Sequence, residues 1–499
     1  MLRRAGRRVQ AVLFYFPAAL ASLGLLDREK AEEAFDLALP SMVTGGLRTL
    51  LRAADFFMVS VAAGGAAVAG LELGFQYYFI PFGLALALTS GTISVVSRFR
   101  GAGEYERANF AIKQSLWLSL LLSVPITAGA WLYADPLIDV LTDDPETIAK
   151  GATYLRIVML SVAARFWSMI AARALAGAGD TRTPMHVRLL TLPTNVVLNA
   201  VLIFGLGPVP ALGIAGAAWG TTTANTVAAL AFLWLLVGGR RDVTLRLGGR
   251  QWDWSIAGEL VRVSLPLAGT RLSRTFGRFP FLFVLGVLGT DVLAAYAIAR
   301  RVMLLALMPA WGYATASSTL VGQHIGAGED REATDYGWQT LRLALATQLL
   351  IAAVIFLAAT PIARAFGTTY VDLTVQFVRV FGLSVAGFSV ARTMRGGLRG
   401  AGDTRWPLYG GLLGTYAVRL PLAFAALPAG LALTVGPLTV PVLGRLAGAV
   451  TVSPGLGIGL AAIYAAILCD MYTRAAVNVV RFRSGRWRAV ARANTAGAD

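Results

Sequence analysis

Twelve apolar runs, each near or above the roughly 20 residues that a helix needs to cross a bilayer, follow one another along nearly the whole chain. They fall at about 36–61, 69–97, 112–133, 147–172, 184–206, 212–238, 256–288, 291–321, 338–358, 371–391, 406–433 and 455–480. Lipid offers backbone amides no partner, so such runs are viable only as helices, and the alternating polarity of a membrane barrel is absent. Composition agrees: 56% of the 499 residues are hydrophobic and only 14% charged, against about 25% charged in soluble proteins. The sequence therefore predicts an all-α polytopic membrane protein and excludes a soluble multidomain enzyme.

Charge gives orientation rather than a partner. The net +17 would suggest nucleic acid in a soluble protein, but the arginines gather in alternate loops, the positive-inside pattern. Inside segments carry Arg98/Arg100/Arg107, Arg173/Arg182/Arg188, Arg240/Arg241/Arg246/Arg250, Arg392/Arg395/Arg399/Arg405 and the tail from Arg481 to Arg492. Outside loops hold little beyond Arg364 and Arg445, and the acidic turn Asp135 to Glu146 falls outside. Both termini are expected in the cytoplasm, with the chain integral to the cytoplasmic membrane and in contact with its lipid. Nucleic acid is excluded as a partner, and a monomer is expected. The single Cys469 excludes an internal disulfide, and His186 and His324, both in predicted loops, cannot supply a transition-metal cage.

The chain repeats itself. Gly101-Ala-Gly-Glu-Tyr-Glu-Arg-Ala108 recurs as Gly326-Ala-Gly-Glu-Asp-Arg-Glu-Ala333, 225 residues on. Gly177-Ala-Gly-Asp-Thr-Arg-Thr-Pro184 recurs as Gly400-Ala-Gly-Asp-Thr-Arg-Trp-Pro407 at 223, and Leu39-Pro40 as Leu265-Pro266 at 226. Six helices is an even number, so the repeats run parallel, related by an axis along the membrane normal. The expected organisation is a basic N-terminal segment 1–35, read as an interfacial helix, and a first lobe 36–238 of six helices. A cytoplasmic linker 239–255, a second lobe 256–480 and a basic tail 481–499 follow. The repeated motifs read as elbows: Gly-Ala-Gly turns the chain at a helix end, Asp180 or Asp403 caps the next helix, and Pro184 or Pro407 suits its first turn. No strand precedes these glycines and no Gly-Lys-Ser/Thr follows, so they do not read as a nucleotide loop.

On these features the sequence resembles the multidrug and toxic compound extrusion (MATE) family: twelve spans in two parallel sixes, the paired elbow Gly-Ala-Gly-Asp-Thr-Arg-x-Pro, the Gly-Ala-Gly loops after helices 2 and 8, and Asp55 late in helix 1. The resemblance covers roughly residues 36–480. It implies two bundles forming a V-shaped cleft that opens alternately outward and inward, exporting small organic solutes against inward H+ or Na+ with no cofactor.

Ionisable groups inside a span are costly and therefore functional candidates. Asp55 lies about six residues before the outer end of helix 1, or about 9 Å deep. Asn195 and Asn199 share one face of helix 5, and Thr221 is about eight residues into helix 6, at overlapping depths. By resemblance, prokaryotic relatives build a cation or proton site from such a helix-1 Asp, polar helix-5 residues and a helix-6 Thr. Asn195-Val-Val-Leu-Asn199 and Gly213-Ile-Ala-Gly-Ala-Ala-Trp-Gly-Thr221 match those places. Several relatives carry an Asp at Asn199, so proton sharing between two carboxylates is unavailable here, and no metal beyond Na+ is expected at the site. In the second lobe Phe281 stands opposite Asp55 in the repeat register.

Arg48 and Arg52 precede Asp55 near one helix face, and Arg274 and Arg278 occupy the equivalent places in helix 7. Either these arginines pair with carboxylates or snorkel, or they make a basic cleft that attracts anionic substrates; an Arg52–Asp55 pair would oppose proton carriage by Asp55. Glu72 and Gln76 are further cleft-lining candidates. The alternative to a cation-coupled exporter is a flippase for lipid or lipid-linked saccharide, a related class that shares the two-lobe plan.

Overall fold

The structure, a computed structural model, describes residues 15–139, 144–239, 242–366, 370–431, 433–435, 438–440, 444–447 and 450–496. Within these, the side chains at 48–57, 60, 62–69, 72, 76, 79–80, 271–275, 290, 433–435, 438–440, 444–447, 450–452 and 494–496 are not described. Helices stand where the apolar runs predict them. They are α1 (Arg28–Gly101), α2 (Tyr105–Leu132), α3 (Ala134–Asp139), α4 (Pro145–Met159), α5 (Val162–Gly177), α6 (Arg182–Phe204) and α7 (Gly213–Val237). In the second half come α8 (Trp254–Phe276), α9 (Arg278–Leu288), α10 (Thr290–Ala306), α11 (Met308–Gly326), α12 (Asp330–Leu357), α13 (Ala359–Ala365) and α14 (Val371–Gly400). The chain then runs through α15 (Arg405–Leu412), a π-helical segment (Leu413–Arg419), α16 (Leu420–Ala425), α17 (Leu460–Arg483) and α18 (Arg486–Ala496). The protein is an all-α polytopic membrane protein. Among the described residues seven helices are long and apolar enough to cross a membrane alone, and two bent pairs, α4 with α5 and α10 with α11, join them.

Helical assignment runs without a loop through both of the first two predicted spans, over 74 residues. A straight helix would place Ala38 and Arg98 about 90 Å apart. Yet Ala38 packs beside Gly312 and Arg98 beside Gly326, positions only about 21 Å apart along α11. The chain therefore doubles back between Ala38 and Arg98.

Three further differences from expectation have local causes. The eleventh span ends at Ala425 rather than near 433, since Pro428 and Gly430 stop it. The alternating Thr and Val beyond them form two short antiparallel ladders, Leu433–Val435 with Val450–Val452 and Leu438–Val440 with Gly444–Ala447. His186 and His324 lie on helices α6 and α11, not in loops; His324 Nδ1 is 2.6 Å from Glu329 and its ring stacks on Tyr336. The linker after α7 is tied down along α2, where Lys113 Nζ donates to the carbonyls of Gly248 and Arg250 and Asn109 bonds Thr244. Residues 1–14 lie outside the described residues; 15–22 are helical, and Phe16 and Leu20 pack with Leu26 and Phe35 against Tyr313 and Leu320.

The elbows divide the labour between their glycines. The second glycine of each Gly-Ala-Gly turns the chain in the left-handed region: Gly103 at φ 76°, Gly179 at 97°, Gly328 at 79° and Gly402 at 83°. The first permits backbones to touch. A Cβ on Gly101 would lie 1.7 Å from the carbonyl oxygen of Gln323, and one on Gly326 would lie 2.1 Å from that of Arg98. Around this contact Thr319 Oγ1 donates to Ala176 O at 2.7 Å, Gln323 Nε2 to Gly177 O at 3.1 Å and Ser94 Oγ to Gly400 O at 3.3 Å. Arg98 and Glu259 make a buried ion pair at 2.5 Å across the same seam. The two halves are thus sealed at the elbow end.

The elbow carboxylates also act as expected. Asp180 accepts the backbone N–H of Thr183 at 2.8 Å, and Asp403 accepts that of Trp406 while pairing with Arg481 at 2.6 Å. Burial pushes the Asp403 carboxyl above the usual carboxylate range, with Arg481 acting the other way. Asp180→Ala should cost about 1 kcal/mol, the loss of a cap. Asp403→Ala strands a buried guanidinium as well and should cost about 3 kcal/mol. Thermal unfolding of the detergent-solubilised protein checks the order: a clearly lower melting temperature for Asp403→Ala than for Asp180→Ala.

Candidate functional site

Four helices of the first half surround a cavity of about 270 Å³. Each presents one face at helical spacing: Leu71, Phe75, Tyr78, Phe82 and Leu86 from α1; Arg165, Met169, Ala172, Arg173 and Ala176 from α5; Arg188, Leu192, Asn195 and Asn199 from α6; Ala217, Thr221, Ala224 and Asn225 from α7. Pro40, Ser41, Thr44 and Gly45 of the first span, Tyr154 of α4, and Trp311 and Thr315 of α11 also line it.

The structure brings Asn195, Asn199 and Thr221 together on this wall. Asn195 Nδ2 points to Asn199 Oδ1 at 3.4 Å. Asn199 is buried where α6 meets α7, and a Cβ on Gly220 would come within 2.0 Å of its Oδ1, so that glycine is what admits the side chain. One turn deeper on α7, Asn225 Nδ2 donates to the Tyr78 hydroxyl at 3.0 Å and to Ser161 Oγ at 3.1 Å. The side chains of Arg48, Arg52, Asp55, Glu72, Gln76 and Arg274 lie outside the described residues. Arg278 is exposed in the second half, within electrostatic reach of Arg300, Tyr296 and Arg419, and does not line this cavity. Among the described residues no group of three or more His, Cys, Asp or Glu could hold a metal ion.

Arginines that the sequence reading passed over dominate the cavity chemistry. Arg165 Nη1 donates to Tyr78 at 2.9 Å, and its guanidinium lies over the rings of Tyr78 and Phe82 at 4.8 and 4.7 Å. Arg188 Nη2 donates to Ser168 Oγ at 3.1 Å, and Arg173 Nη1 reaches Thr315 Oγ1 of the second half at 3.0 Å. Arg173 and Arg188 had been counted as loop charge; they lie close to an elbow, but on the inner faces of α5 and α6. Arg165 sits inside a predicted span, where any charge is a candidate.

The second half is filled instead. Asp470, fully buried on α17, pairs with Arg474 at 2.6 Å and faces Arg419 at 3.9 Å, and Arg474 Nη2 donates to Thr415 at 2.7 Å. The Arg419 guanidinium lies 3.8 Å from the ring centre of Phe281. A space of about 10 Å³ lies beside this network. Asp470 and Arg474, four residues apart within an apolar run, carry an intramembrane ion-pair signature that was readable from sequence.

A family model for MatE matches residues 40–201 and 266–425, well over half of the chain, in two blocks that follow the internal repeat. The chain belongs to the MatE family. It is a membrane transporter and not an enzyme. It is 27% identical over 467 residues to a probable multidrug resistance protein NorM of Thermotoga maritima, covering 92% of this chain and 93% of that one. It is 24% identical to an FAD transporter of Shewanella oneidensis, over 69% of this chain and 76% of that one. Among solved structures, a MATE crystal structure in the bent conformation superposes with a TM-score of 0.80 at 23% identity, covering 93% and 97% of the two chains. The MATE fold is thereby shared over nearly the whole length.

Proposed function

We propose that this MATE transporter is a secondary antiporter that exports small organic solutes from the cytoplasm by alternating access, driven by inward H+ or Na+. Residues 36–238 and 256–480 act as its two lobes in the plasma membrane, with both termini cytoplasmic. The observation that carries the reading is the cavity in the first half, closed at the elbow end and walled by Asn195, Asn199 and Thr221. Relatives named for multidrug resistance support the export of organic solutes. In this reading Asp55 supplies the carboxylate of the coupling site and the three neutral side chains supply its oxygens. One carboxylate carries one proton or balances one Na+, and cation release changes the charge at the outer end of the cavity as substrate exchanges. Arg48, Arg52, Glu72, Gln76, Arg274 and Arg278 belong to the cleft between the lobes.

Asp55→Asn tests the assignment. Gradient-driven uptake into inside-out vesicles should fall at least tenfold, while substrate binding to the purified variant stays within a few fold. Unchanged gradient-driven uptake would remove Asp55 from the coupling step.

A further inference from the structure

Three arginines elsewhere in this protein have carboxylates: Arg98 has Glu259 at 2.5 Å, Arg474 has Asp470 and Arg481 has Asp403, both at 2.6 Å. The three arginines of the cavity have none among the described residues. Among the described residues no carboxylate lies within ion-pair distance of Arg165, Arg173 or Arg188, and none lines the cavity. Each guanidinium donates to one neutral hydroxyl, out of five N–H groups, and the Nε of Arg165 is buried with no partner. Arg165 and Arg188 are also near enough to repel one another. Charge gathered in a membrane interior with no described carboxylate beside it is expensive and is retained for function.

The two halves place their arginines differently. The register set by Gly177 and Gly400 puts Phe388, Gly396 and Gly411 at the positions of Arg165, Arg173 and Arg188, while α14 carries Arg392 and Arg395 at the positions of Met169 and Ala172.

Their spacing suits transit. Measured from the elbow, Arg173 stands about 6 Å in, Arg188 about 9 Å and Arg165 about 18 Å, just short of Asn195 at about 20 Å. Stacking between Tyr78 and Phe82 fixes the plane of the Arg165 fork, the geometry that binds carboxylate or phosphate oxygens in pairs. Tyr78 accepts from Arg165 and Asn225 and so keeps its own proton to donate.

We propose that this cavity binds a soluble aromatic oxyanion, a phosphomonoester or carboxylate whose charged group sits between Arg165 and Arg188 and whose body lies against Phe75, Phe82, Met169 and Leu192. The proposal names the substrate class for the exporter read above and rests on that reading. Binding of the anion supplies a counter-charge to the arginines, and the ladder from Arg173 to Arg165 leads it from the elbow end toward the coupling residues.

The test is equilibrium binding, which needs no gradient and so fails separately from the antiport reading. Purified full-length protein is titrated with 4-methylumbelliferyl phosphate, with the matching carboxylate and with ethidium, followed by fluorescence anisotropy. The two anions should bind in preference to ethidium. Arg165→Gln and Arg188→Gln should each weaken them about tenfold or more, as expected for a lost charge-assisted bond. Arg165→Lys should fall between, and Arg182→Gln, an exposed arginine paired with Asp36, should bind as wild type. Without ligand the Gln variants should melt at or above the wild-type temperature, having lost an unpaired charge, and the ligand-induced rise should disappear. Preferential ethidium binding, anion affinity unchanged in the double variant, or lower melting with affinity intact would overturn the proposal. Displacement of the dye by dioctanoyl phosphatidic acid at concentrations where the soluble phosphate is inert would overturn it in favour of a lipid headgroup.

Discussion

Gly101→Ala should abolish transport while leaving the protein folded and inserted. The added Cβ would sit 1.7 Å from the carbonyl oxygen of Gln323, and neither backbone can give way as a flexible side chain would. The contact must part by more than 1 Å, which breaks the seam that Thr319, Gln323 and Ser94 bond across. Overpacking of this kind costs about 1–3 kcal/mol or more, charged to the state closed at the elbow end and not to the state in which the halves have separated there. The population shifts toward the opposite opening, and an alternating cycle stalls when one of its states is lost. Gly326→Ala, the mirror position with its 2.1 Å approach to Arg98, should do the same. Gly129→Ala, with nothing within 4 Å of the new methyl, should be silent. Spin labels at Ala102→Cys and Ala327→Cys, in a Cys469→Ser background, read the distance across the seam. It should lengthen in Gly101→Ala and be unchanged in Gly129→Ala. Normal transport with an unaltered distance would mean that the seam never has to close.

Asp470→Ala should have the larger effect on folding. Asp470 is the described carboxylate beside both Arg474 and Arg419 in the second half, and removing it leaves two buried guanidinium groups facing each other. Breaking a buried pair from one side costs about 3–5 kcal/mol, a large share of a typical folding free energy. Expression of monodisperse protein should collapse. Replacing the pair together, Asp470→Leu with Arg474→Met, should restore part of the yield, because only Arg419 then loses its carboxylate. Bonded to Arg474 and close to Arg419, this carboxylate is a brace for the π-helical turn. That turn has its own cause: Pro421 has no N–H to give Ala417 and its ring crowds that carbonyl. The helix loosens there, with Leu420 N–H bonding back to Thr415. Gly414 lies against Asp470 where a Cβ would be 2.4 Å from Oδ1. Full yield of Asp470→Ala would contradict the brace.

Much of the fold was legible because a bilayer leaves the chain few options: apolar run lengths gave the crossings, and the Gly-Ala-Gly repeats gave the elbows. What the repeats did not disclose is that the two glycines of each motif do different work, since a positive φ and a close backbone approach select the same residue. The end of the eleventh span was misjudged because Leu, Val and Thr suit apolar helix and strand alike, and only Pro428 and Gly430 separate them. In the site, Asn195, Asn199 and Thr221 were found from spacing and resemblance. Arg173 and Arg188 were not, because an arginine near an elbow reads as orienting charge, and only its helix face decides whether it points to lipid headgroups or into a cavity. Arg98 and Glu259 are 161 residues apart, and no sequence pattern connects them.

The central claim is coupled exchange through the cavity of the first half. Wild-type protein reconstituted in liposomes, with a pH gradient and a Na+ gradient imposed separately, measures it most directly when solute movement and ion flux are followed together. The account predicts that one of the two gradients drives a fluorescent organic substrate uphill and that a substrate gradient in turn drives the same ion the other way. Substrate that merely equilibrates, at a rate indifferent to both gradients and with no ion counterflow from folded protein, would contradict it.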